Sequence, residues 1–228
     1  MRVLFTYIIL LMLSPVLIGQ NEVQNIKQDL LKLNERYTTI ESYSALTKVS
    51  YLDTANQVTE EQKGKYIEHD GNSLYVLGYY EVLSFGSELL QLNHTDSTAI
   101  YLINGAENEQ KKDPMEDYLE KVSNYLNICK DSSITVVGDL KTVNIELKHP
   151  VDNVLGLKLT FSEDLILRKF EIKLSNLEVV RFEYFNVSFN KNKISKIFNR
   201  NDYLKGSGDD VRLNPTYTNY KFNNFSNQ

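Results

Sequence analysis

"ERYTTIESYSALTKVSYLD", Glu35 to Asp53, changes its period halfway along. Up to Ile40 the large apolar residues recur every three or four positions; from Tyr43 they recur every two. Read backwards, Val23, Ile26, Leu30, Leu33, Tyr37 and Ile40 fall at spacings of 3, 4, 3, 4 and 3. That is an amphipathic helix with one narrow apolar stripe. Gln24, Lys27, Asp29, Lys32, Glu35 and Arg36 occupy its other faces. The pattern stops after about three heptads and no other segment matches it, so a lone helix lying on something else is expected rather than a coiled coil. Read forwards, Tyr43, Ala45, Thr47, Val49 and Tyr51 alternate with Ser44, Lys48 and Ser50, which is the strand period. The stretch predicts a helix that runs straight into a sheet.

Strand signals continue at roughly ten-residue spacing, as in an all-β sandwich or barrel. Lys63–Glu68 leads to Asp70-Gly71, a pair suited to a tight hairpin turn. Ser73–Tyr79, Glu88–Leu92 and Ala99–Ile103 extend the meander, with the last turn in "NHTDS". A charged loop, "NGAENEQKKDP", then precedes a second helix over Pro114–Cys129. Asp113 caps it, Pro114 suits its first turn, and Glu116 completes a capping box. Its expected buried stripe runs from Met115 to Cys129. Afterwards the strands resume with cleaner alternation. Val143, Ile145 and Leu147 share one face, as do Leu157, Leu159 and Phe161; Phe170, Ile172 and Leu174 repeat the pattern, and so do Phe185, Val187 and Phe189. Asn144, Glu146, Lys148, Lys158, Thr160, Glu171 and Lys173 lie on the opposite faces. Strands with one wet and one dry face describe an antiparallel sheet closing on a core.

The N-terminus carries one charge at Arg2, an apolar core from Val3 to Leu13, Pro15, and the small residue Gly19. This order is that of a secretory signal peptide, and the core is shorter than the ~20 residues a spanning helix needs. Cleavage after Gly19 is expected. A lipoprotein signal would place Cys at the next position and the chain has Gln20, so a soluble, exported, periplasmic or secreted product is predicted. The single cysteine, Cys129, excludes an intramolecular disulfide. The charge of −5 argues against nucleic acid and anionic membrane as partners. The polar, Asn-rich residues 199–228 read as a tail that docks as an extended segment or stays mobile. Residues 1–19 are thus read as the signal and 20–198 as one domain. The fold class is α+β: a curled antiparallel sheet, a half-open barrel of about ten or eleven strands, with two amphipathic helices on its concave side.

In its order of elements the chain resembles the LolA-like superfamily, the periplasmic lipoprotein-localisation carriers and related lipid-binding half-barrels. Members have a signal peptide, an amphipathic helix entering a long first strand of the form "Y..I.SY…V.Y", here "ERYTTIESYSALTKVSYL", a meander, a middle helix and longer strands. The resemblance implies an unclosed barrel with helices as a lid over an apolar cavity that carries an acylated or lipid cargo, in outer membrane biogenesis. It transfers no individual residue. The Glu107–Asp113 loop and the tail depart from the family pattern.

No catalytic motif accompanies this order. His69, His94 and His149 lack metal-ligand spacing. Cys129, on the apolar stripe of its predicted helix, reads as a buried inert thiol. "GSG" at Gly206–Gly208 lacks the spacing of a hydrolase elbow, and "NRNDYLKGSGDD" lacks the glycine and acids of a calcium loop. The expectation is a non-enzymatic monomer, without cofactor or metal, that binds a lipid or other apolar ligand. The alternative is an envelope protein–protein interaction module with a solid core. The expected ligand-binding residues are Val143, Ile145, Leu147, Leu157, Leu159, Phe161, Phe170, Ile172, Phe185 and Val187.

Overall fold

The computed structural model describes residues 24–37, 39–103, 125–189, 199–207 and 210–225. The expected signal peptide, the charged loop and most of the second helix lie outside these residues; 125–127 are helical. Helix α1 spans 24–37, and Ile26, Leu30, Leu33 and Tyr37 are its buried stripe. Between α1 and the first strand only a few residues intervene, as the change of period requires. Strand β1 is Ser42–Leu52, where Tyr43, Ala45, Thr47 and Val49 are buried.

The meander continues through β2 (Val58–His69), β3 (Asn72–Leu77), β4 (Tyr80–Phe85), β5 (Glu88–Asn93) and β6 (Thr98–Ile103). Then come β7 (Cys129–Val137), β8 (Leu140–Val151), β9 (Val154–Ser162), β10 (Leu167–Leu174) and β11 (Val179–Phe189). The short strands β12 (Leu204–Lys205), β13 (Arg212–Leu213) and β14 (Lys221–Asn224) follow. Twelve strands form one sheet in the order β14-β6-β5-β4-β3-β2-β1-β11-β10-β9-β8-β7, while β12 and β13 pair with each other. Neighbours from β2 to β6 and from β7 to β10 are antiparallel; β14 runs parallel to β6.

The count exceeds the expected ten or eleven for two identifiable reasons. The run expected to end at Tyr79 closes at Leu77, and a two-residue turn, Gly78-Tyr79, opens β4 at once. The tail supplies β14. The predicted Asp70-Gly71 hairpin is present: His69 pairs with Asn72, and the two turn residues have φ of 49° and 70°. Such a turn needs positive φ at both central positions, which Gly and Asp supply at least cost. Cys129 differs from its expected place. It opens β7 opposite Leu147 and is half-buried, because the helical run ends before it.

The described chain forms two compact units. In the first, residues 24–37, 52–57 and 125–181, α1 joins strands β7–β10. Tyr37 Oη accepts the Leu167 N–H of β10 at 3.1 Å, and Lys141 Nζ of β8 donates to Asp29 Oδ2 at 2.7 Å. The second holds residues 39–51, 58–103, 182–189 and 199–225. There Leu74, Leu83, Leu90 and Tyr101 form a buried cross-strand row, and Leu204 and Val211 of the tail pack into the same core. The tail is therefore docked along 199–207 and 210–225.

Candidate functional site

Register sorts the side chains of β7–β10 into two faces. On one, Ile134, Val143, Leu159 and Phe170 stand opposite one another across four strands, and Ile145, Leu157 and Ile172 form the next row. Directly opposed residues lie within about 5.5 Å at Cβ, so each row is a continuous apolar strip. Lys141 and Phe161 are paired at the end of this face, and it is Lys141 that reaches Asp29 of α1. The amphipathic helix and the apolar strips thus belong to one unit, tied at their margin by an ion pair and a buried hydrogen bond.

Of the ten expected ligand-binding residues, Val143, Ile145, Leu147, Leu157, Leu159, Phe161 and Phe170 sit in the first unit and are at most 5% exposed. Ile172 is half-buried at the end of its row. Phe185 and Val187 fall in the second unit, and Phe185 is 45% exposed. The alternation expected along β11 breaks at Asn186, whose φ is 50°; a residue in the left-handed region throws the following side chains out of phase. The structure therefore brings seven of the ten into one buried cluster and leaves two elsewhere.

The other face of β7–β10 holds a depression of about 390 Å³. Its rows are Ser133, Asn144, Lys158 and Glu171, and beside them Asp131, Glu146, Gly156 and Lys173. Gly156 is the floor: a Cβ there would lie 2.9 Å from the Ile145 carbonyl oxygen. Glu171 gathers the cations of this face, with Arg181 Nε at 2.6 Å and the ammonium groups of Lys158 and Lys169 each at 3.8 Å. The depression was absent from the sequence reading. A glycine inside an otherwise regular strand, "VLGLKL", was the available signal.

In the second unit the polar groups serve the tail. Glu81 accepts from Tyr203 Oη at 3.0 Å and meets His94 Nε2 at 3.1 Å, while His94 Nδ1 lies 2.5 Å from Tyr220 Oη. Burial first, and the Glu81 carboxylate second, push the Tyr203 phenol well above its ordinary value. Arg200 forms a two-pronged pair with Glu88, which also accepts from Tyr101 Oη at 2.7 Å. Burial, reinforced by Glu88, pushes Tyr101 up to about 12. Among the described residues no three His, Cys, Asp or Glu side chains gather to hold a metal, and no helix is long and apolar enough to cross a membrane.

No protein-family model matches the chain, and no curated protein matches it in sequence. Solved structures do match. A LolA superfamily protein from Nitrosomonas europaea shares 12% identity over 78% of this chain and 97% of that one, at a TM-score of 0.36. The lipoprotein LppX of Mycobacterium tuberculosis shares 10% over 74% and 96%, at 0.43. LprF of Mycobacterium bovis shares 13% over 75% and 96%, at 0.39. The resemblance read from the order of elements is met again among solved folds. At these values it transfers no residue role to this chain.

Proposed function

We propose that the chain is an exported, periplasmic, non-enzymatic protein that receives an acyl chain or other apolar group on the apolar face of β7–β10, in place of α1. The observation that carries this reading is the pair of unbroken apolar strips under a single amphipathic helix fastened at its margin. Those strips are already covered, so a ligand must take the helix's place. The magnitudes permit the exchange. Burying the four stripe residues of α1 contributes roughly 6–12 kcal/mol, and a sixteen-carbon chain leaving water contributes about 12 kcal/mol before binding costs. The helix would then be a lid, held in the empty protein and displaced in the loaded one. Residues 1–19 serve as the export signal in this reading, and 20–198 with the docked tail as the working protein.

A second reading, an envelope interaction module with a solid core, is favoured by the near-zero exposure of seven expected lining residues. Native mass spectrometry of the chain from Gln20, purified from a periplasmic extract and followed by organic extraction, separates the two. A co-purifying acyl species supports the carrier; clean protein that also fails to take up a fluorescent fatty acid contradicts it.

A further inference from the structure

The two central rows on the polar face of β7–β10 differ in whether their opposite charges meet. Around Glu171 the charges meet directly, with Arg181, Lys158 and Lys169 converging on one carboxylate. In the adjacent row, Asp131 and Glu146 stand directly opposite each other on β7 and β8. Gly156 follows on β9 and Lys173 on β10. Like charges opposed across a strand pair repel, yet among the described residues no cation pairs with Asp131 or Glu146, and no carboxylate pairs with Lys173. The two signs are separated by the one position in the row without a side chain.

That separation has a fixed size. Strands lie about 4.8 Å apart, so the β8 and β10 backbones flank the Gly156 floor at about 10 Å. The floor is permanent, because a Cβ at 156 would meet the Ile145 carbonyl oxygen at 2.9 Å. Ser133 and Asn144 add hydroxyl and amide groups to the wall, and the volume, about 390 Å³, suits a small molecule. We propose that this depression binds a small soluble zwitterion of the amino-acid or dipeptide class. Its ammonium lies against the Asp131–Glu146 pair, where it relieves their repulsion, and its carboxylate lies against Lys173. Both ends are needed, since either charge alone leaves the opposite side of the row unmatched.

The site lies on the face opposite the apolar strips, so its test is independent of acyl binding. The full chain, ¹⁵N-labelled, is titrated with glycylglycine and, in parallel, with N-acetylglycine and glycinamide, each of which lacks one charge. Glycylglycine should shift the amide resonances of Glu146, Gly156 and Lys173 saturably, and each control should bind at least about tenfold more weakly. Glu146→Gln and Lys173→Met, both at exposed positions, should each weaken glycylglycine at least about fivefold with no loss of thermal stability. Absence of a saturable shift would overturn the proposal. So would controls that bind as well as glycylglycine, or binding indifferent to both substitutions.

Discussion

Leu33→Ala tests whether α1 is a lid or a fixed part of the core. Leu33 is fully buried at the centre of the helical stripe, between Leu30 and Tyr37. Its truncation removes three carbons from a packed site, which costs about 2–5 kcal/mol. If ligand and helix compete for the same apolar strips, this loss falls on the closed, empty state and not on the loaded one. Apparent affinity for an acyl ligand should then rise by roughly 30- to 5,000-fold, less where a fraction of the molecules is already open. The assay is titration of a dansyl-labelled fatty acid into wild type and variant, with urea unfolding measured on the same samples. Lys141→Met provides a milder perturbation, removing only the 2.7 Å tie to Asp29. It should move affinity the same way by a few-fold, since a partly exposed ion pair is worth about 0.2–1 kcal/mol. A drop in stability by the expected amount with no gain in probe binding, in both variants, would refute the lid.

Three further outcomes follow from the same geometry. Gly156→Ala should lower the urea midpoint by an amount equivalent to about 1–3 kcal/mol, because its methyl group meets backbone rather than a movable side chain. Raising the pH should leave stability unchanged until the unfolded tyrosines ionise near 10 and then reduce it. Tyr101 keeps its proton up to about 12 in the folded state, so the unfolded chain loses protons first and about 2 kcal/mol is lost through this group by that pH; urea melts between pH 9 and 12 measure it, and Tyr101→Phe should make the loss smaller by about that amount, leaving the share of Tyr203. Glu88→Gln should cost about 1–3 kcal/mol by weakening the Arg200 pair and should speed tryptic cleavage at Lys205, followed by mass spectrometry.

The sequence carried those parts of the fold that depend on neighbours along the chain. The change of period after Ile40 placed α1 and β1, and Asp70-Gly71 placed its hairpin. The alternation from Val143 to Phe170 marked the buried face, because a period of two fixes which residues share a side. What depends on distant partners was not legible. Nothing local in "YKFNNF" says that Lys221–Asn224 will pair parallel with β6. Phe185 was placed on the apolar face because alternation was assumed to pass through Asn186, whose positive φ interrupts it. The charge order Asp131, Glu146, Gly156, Lys173 exists only once four strands are in register. Each residue alone looked like a solvated surface.

The central claim concerns where an acyl chain goes. A diazirine-bearing palmitate, irradiated with the protein and mapped by peptide mass spectrometry, reports that position directly. The account predicts crosslinks on β8–β10, at residues such as Ile145, Leu159 and Phe170. Labelling confined to exposed residues such as Tyr79 and Tyr80, or no labelling above that of a denatured control, would contradict it.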